Sequence, residues 1–222
     1  MYNSGAMEKR MKKATIKAQN ISCRRGNFSL FKPVSFDLAF GQSLLISGPN
    51  GIGKTTVLES IAGLRDLQSG GFSFKDSNLD KNKDIWFESS LYIGHKTGNK
   101  KELNCLENLR SFLQIQGIDV SETQAEVALE QVGLAGFEYQ MAGSLSAGQK
   151  KRLALARLLL ASFPIWILDE PFVNLDIAGC AWLLAVLENH LNNKGILIIT
   201  AHDNKTIKKA VTQEIILEPV EI

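Results

Sequence analysis

The sequence predicts an α/β protein with a mostly parallel core sheet, antiparallel strands at its start and an inserted helical subdomain. Three runs carry that prediction: Leu44-Leu45-Ile46, Ile165-Trp166-Ile167-Leu168 and Ile196-Leu197-Ile198-Ile199. Each is too short for a helix, bulky, and bounded by Gly, Pro or an acidic pair, as strands buried on both faces are. Helical spacing follows each run, over residues 53–64, 177–191 and 204–211. Strand then helix, repeated, favours a parallel sheet covered on both sides. Residues 14–23 and 29–39 instead alternate apolar and polar side chains, which suits half-exposed antiparallel strands. From 103 to 160 the strand pattern disappears. There, 106–115, 124–132 and 147–161 repeat apolar residues three and four apart, so a helical lobe interrupts the sheet. A single domain over 14–222 is expected, with its core at about 14–90 and 163–222 and its helical subdomain at about 91–162. Residues 1–13 show no motif or periodicity and are expected to be frayed or extraneous to the domain.

Composition narrows the function before any motif is considered. The 222 residues hold 25 Lys and Arg against 23 Asp and Glu, a net charge of +2, and 45% are hydrophobic. Chains of this size hide roughly 70–75% of their unfolded surface, so a core forms without disulfide or metal staples. Near-balanced charge argues against a nucleic-acid partner, which would call for a basic excess or stripe. Cys23, Cys105 and Cys180 form neither a CxxC pair nor a zinc-like spacing and are expected to be reduced, packed thiols. Lys9, Arg10, Lys12 and Lys13 are not followed by the apolar stretch of an export signal. The uncharged runs 158–168 and 177–187 fall well short of the ~20 residues that span a bilayer. If the protein works at a membrane, another chain must cross it.

Directly after the first buried run comes Gly48-Pro49-Asn50-Gly51-Ile52-Gly53-Lys54-Thr55-Thr56, which fits the phosphate-loop pattern with a strand before it and a helix after it. Its glycines let successive amides point into one concavity, and the positive helix end adds to the field there. Lys54 would bridge terminal phosphates as a point charge, and Thr55 would offer its hydroxyl to Mg²⁺. Read blandly, this is a glycine-rich turn that happens to fit. The second buried run ends in Asp169-Glu170-Pro171, and in a parallel sheet that end opens onto the same edge as the phosphate loop. Asp169 suits Mg²⁺, while Glu170 can polarise a water beside the terminal phosphate. Alone, such an acidic pair would be a solvated turn.

A third feature, Leu145-Ser146-Ala147-Gly148-Gln149, opens a helix. In isolation it is a capped helix start, with the Ser hydroxyl satisfying a free amide. Joined to the other motifs, the segment resembles the signature of ABC ATPases, with Ala147 in place of the first of two glycines. The resemblance extends over nearly the whole chain and implies a phosphate-loop NTPase fold, ATP and Mg²⁺ as cofactors, and a homodimer on ATP binding. In that family two ATPase domains stack head to tail, so the phosphate loop of one and the signature of the other, here Ser146 and Gly148, enclose one ATP. His202 matches the switch histidine that senses the terminal phosphate, and Asn174-Leu175-Asp176 matches the loop that touches the partner's site.

Where the family usually has a glutamine coupling the metal site to the transporter, this chain reads Gly94-His95-Lys96. The resemblance makes His95 the coupling-loop residue, and because an imidazole differs from an amide in reach and proton state, a direct metal contact there is not expected. No aromatic occupies the usual place for stacking on adenine. Arg24, Arg25 and Phe28 are candidates for the face of the base, and ATP and GTP both stay open. The stretch Gly94-His95-Lys96-Thr97-Gly98, then Lys101-Glu102-Leu103 and Leu106-Glu107-Asn108-Leu109, resembles the ATP-binding subunits of bacterial cytochrome c maturation systems. That resemblance implies a peripheral subunit on the cytoplasmic face of the inner membrane, separate integral membrane transporter subunits, and haem handling or export. Direct haem binding is not expected, since no CxxCH is present. Rival readings are an ABC ATPase serving another solute, a non-transport ABC ATPase, and a kinase or GTPase on the same loop. The last leaves Ser146 to Gln149 without a purpose.

Overall fold

The structure is a computed structural model describing residues 15–26, 28–75, 77–78, 83–201, 207 and 211–220. His202 and most of 204–211, the third expected helix, lie outside the described residues, as do residues 1–13.

The strands are β1 (Thr15–Ser22), β2 (Arg24–Arg25), β3 (Phe28–Ser29), β4 (Val34–Ala39), β5 (Ser43–Ser47), β6 (Ser69–Phe74), β7 (Ser77–Asn78), β8 (Ser90–Ile93), β9 (Ile165–Asp169), β10 (Ile196–Thr200) and β11 (Gln213–Ile216). The α-helices are α1 (Lys54–Ile61), α2 (Lys83–Ser89), α3 (Cys105–Ile115), α4 (Glu122–Gln131), α5 (Ala147–Leu155), α6 (Arg157–Leu160) and α7 (Ile177–Asn192). One sheet runs β11-β5-β10-β9-β8, with β10 parallel to both β5 and β9, and β11 parallel to β5. Its central strands β5, β9 and β10 are buried at every residue, as their unbroken apolar runs require. A second, antiparallel sheet runs β4-β1-β6-β7.

Three features depart from the sequence pattern. The stretch 29–39 is not one strand: β3 pairs with β2, and β4 begins only after Pro33, which has no amide hydrogen for a ladder. β6 arises from Ser-Gly-Gly-Phe-Ser-Phe, whose glycines hid it. Gly70 (φ +88°) passes so close to β1 that a Cβ there would stand 2.4 Å from the Asn20 carbonyl oxygen, at a register irregularity between the strands. The helical pattern at 147–161 breaks at Ala156 into α5 and α6, with no glycine or proline to announce it.

The described residues fall into two compact units, Ile93–Phe163 with Glu170–Val186 forming one and the remainder the other. The first core gathers Ile16, Leu38, Leu44, Leu58, Ile167 and Ile198. The second gathers Leu109, Leu113, Leu129, Val132 and Leu153, from the facing sides of α3, α4 and α5. Fully burying such a side chain contributes about 1.5–3 kcal/mol.

Candidate functional site

In the sheet-bearing unit, the loop between β5 and α1 winds through three glycines with positive φ, Gly48, Gly51 and Gly53. Gly53 also serves as the N-cap of α1, and a Cβ there would stand 3.0 Å from a Leu30 methyl. Lys54, the first helical residue, is only 7% exposed and folds back over the loop, its Nζ donating to the Gly48 and Pro49 carbonyls at 2.9 and 3.1 Å. The ammonium is thus held against the main chain at the start of the loop. Pro49, Asn50, Gly51 and Thr55 are exposed, Ile52 is buried, and Thr56 is half-buried.

Asp169 ends β9 and is fully buried. Its two oxygens are held separately: Thr55 Oγ1 donates to Oδ2 at 2.7 Å, and Thr200 Oγ1 donates to Oδ1 at 2.6 Å. Register explains the second contact, because Thr200 and Asp169 are partners across the parallel β9–β10 pair. Burial, followed by the charges of Asp169 and Glu59, drives the Tyr92 phenol far above its usual range, so it stays neutral. The exposed Thr55 hydroxyl beside a carboxylate is the hard-oxygen donor set that suits a divalent cation such as Mg²⁺. Sequence reasoning missed Thr200 as a partner of Asp169. Its signal was one hydroxyl closing an otherwise apolar strand.

In the helical unit, Ser146 is the N-cap of α5 and forms a capping box. Its Oγ accepts from the Gln149 amide at 3.2 Å, while Gln149 Oε1 accepts from the Ser146 amide at 2.9 Å. Ser146 and Ala147 are exposed and Gly148 is half-buried, so the helix tip is accessible on this unit's surface. Gly148 packs beside Asn174, which takes a left-handed φ of 68°. Asp176 precedes α7 and accepts from the Gly179 amide at 2.9 Å and from Arg152 of α5. The Gly179 bond first, and then the Arg152 charge, hold its carboxyl below the usual carboxylate range.

Glu170 takes a left-handed φ of 47°, uncommon for a residue with a Cβ, and its side chain is mostly buried. His95 Nδ1 lies 3.7 Å from Glu170 Oε2. The structure therefore brings Gly48 to Thr56 together with Asp169 in one unit, and His95 with Glu170, and Ser146 to Gln149 with 174–176, in the other. Three polar residues that sequence reasoning passed over hold the loop carrying His95: Arg157, Asn99 and Asn108.

A loop of phosphate-loop sequence between a buried strand and a helix, with the aspartate that ends β9, two strands over in the parallel sheet, beside its threonine, defines the class of P-loop nucleotide-binding proteins. Comparison with known proteins agrees: the family model described as ABC transporter matches residues 31–173. The chain belongs to that ABC transporter family, as an ATP-binding, ATP-hydrolysing subunit. Among curated relatives, the protein named cytochrome c biogenesis ATP-binding export protein CcmA from Hahella chejuensis is 43% identical over 187 residues, covering 84% of this chain and 88% of the relative. The protein of the same name from Methylococcus capsulatus is 42% identical over 192 residues, 86% of this chain and 93% of the relative. Among solved structures, one described as an ATP binding subunit of an ABC transporter matches with a TM-score of 0.81 at 23% identity, over 91% of this chain and 85% of that one. It shares the fold. Among the described residues no helix is long and apolar enough to cross a membrane.

Proposed function

We propose that two copies of this chain bind ATP head to tail and drive a membrane-embedded partner in haem handling or export for cytochrome c maturation. The names of the relatives support the pathway, and the Thr55 to Asp169 hydrogen bond beside the phosphate loop is the observation that most supports the chemistry. Lys54 and the loop amides hold the β- and γ-phosphates. Thr55 and Asp169 would hold Mg²⁺. Bound there, Mg²⁺ neutralises charge on the phosphate oxygens. Glu170 polarises the attacking water, and His202 senses the terminal phosphate. Ser146 and the Gly148 amide of the second copy complete the anion site, with Ala147 and Gln149 shaping the helix tip, and Asp176 faces the other copy. ATP touches both surfaces only when they are closed, so it shifts the pair towards closure, and hydrolysis releases it. The subunit works peripherally on the cytoplasmic face of the bacterial inner membrane, through integral membrane subunits, without binding haem itself.

The test is complementation of cells lacking the gene. The native chain should restore covalently bound haem in c-type cytochromes, while Lys54→Ala, with nucleotide binding abolished, should not. Normal cytochrome c haem without the protein, alongside failed transport of some other solute, would overturn the cargo assignment.

A further inference from the structure

We propose that His95 is a positioning residue for Glu170 and that its own place is set by the helix that Ser146 opens. The inference rests on the reading of Glu170 as the residue that polarises water. His95 is 64% exposed at its side chain while that of Glu170 is only 14% exposed, so the imidazole, 3.7 Å from Glu170 Oε2, stands on the solvent side of a mostly buried carboxylate and can set its orientation. Glu170 leaves the chain from a left-handed turn, so its carboxylate direction follows from an unusual backbone that a neighbour must complement.

An exposed imidazole holds such a place only if its loop is fixed, and this loop is. Arg157 is buried to 2% exposure, and burial lowers its guanidinium to about 10. It donates through Nη1 to the Thr97 carbonyl at 3.0 Å and through Nη2 to Asn99 Oδ1 at 2.8 Å, and it stacks 4.1 Å over Phe112. Asn99 Nδ2 in turn donates to the Lys150 carbonyl, in the first turns of α5, at 2.8 Å. Asn108 then ties the next residues, accepting from the Lys100 amide and donating to the Lys100 and Leu103 carbonyls. The segment from Thr97 to Leu103 is therefore sewn to α5 and to the base of α3. A displacement of the Ser146 helix tip therefore pulls on the segment that begins two residues after His95, and through that short link alters how Glu170 is held. This gives the helix that completes a neighbour's site a line to its own chain's carboxylate.

The test is ATP hydrolysis by the full chain, at steady state for His95→Ala alone and in single turnover, beside the native chain, for His95→Ala alone and combined with Glu170→Gln. His95→Ala should lower kcat about tenfold while the KM for ATP moves less than about twofold. His95→Gln should recover most of that loss, because an amide can reach the same carboxylate. In the Glu170→Gln background, His95→Ala should change the residual single-turnover rate no further. An unchanged kcat in His95→Ala, or the same fold-loss in both backgrounds, would overturn the proposal while leaving the role of Glu170 intact. Normal turnover by Glu170→Gln alone would instead remove the reading on which it rests.

Discussion

Gly148 packs directly against the main chain of Asn174: a Cβ at position 148 would stand 2.7 Å from the Asn174 carbonyl oxygen. No such demand exists one residue earlier, where Ala147 sits exposed. The signature therefore tolerates a methyl at 147 for a steric reason and excludes one at 148. Gly148→Ala must push the first turn of α5 away from the loop at 174–176, costing about 1–3 kcal/mol. Chemical denaturation should show that loss.

Ser146 serves as a helix cap, and its proposed second task can be separated from the first by charge. Aspartate caps a helix as well as serine does. Ser146→Asp should keep stability within about 0.5 kcal/mol of the native protein, yet abolish ATP turnover by placing a negative charge where the proposed dimer puts the other copy's phosphate. Unaltered turnover would leave Ser146 as a cap alone.

Glycine at 195 answers a packing constraint: a Cβ there would fall 2.2 Å from the His190 ring, which is stacked on Trp166 with centroids 3.7 Å apart. Gly195→Ala should therefore destabilise the protein by about 2 kcal/mol, read by thermal denaturation.

His190 also predicts a pH dependence. Burial lowers its folded pKa, against the weaker opposing hydrogen bond to the Ile196 carbonyl. The unfolded chain then binds the proton more readily, so this contribution to stability is full above the ordinary histidine value near 6.5 and is lost as pH falls towards the depressed folded value. Urea titrations from pH 8 to 5 should show that loss. A His190→Gln variant, with nothing to titrate at this position, should flatten it.

The parts legible in the sequence were those where one residue type satisfies both chain and chemistry. The short apolar runs inside β5, β9 and β10, bounded by Gly, Pro or acidic residues, read as buried strands, and Ser146 reads as the cap of the helix it opens. Glycine marks the phosphate loop because the backbone at 48, 51 and 53 needs positive φ. What stayed hidden depended on partners distant in sequence. β6 reads as a turn until β1 approaches Gly70, and Thr200 gains meaning only when register places it beside Asp169. Arg157 belongs to no motif, and its bonds reach back to Thr97 and Asn99, some sixty residues earlier in the chain.

The proposed head-to-tail pair forms because ATP joins two copies of this chain. The most direct measurement is the molar mass of purified Glu170→Gln by light scattering, with and without saturating ATP and Mg²⁺. A monomer should become a stable dimer on adding ATP, with hydrolysis arrested. A Glu170→Gln protein that binds ATP tightly and remains monomeric would contradict the pairing.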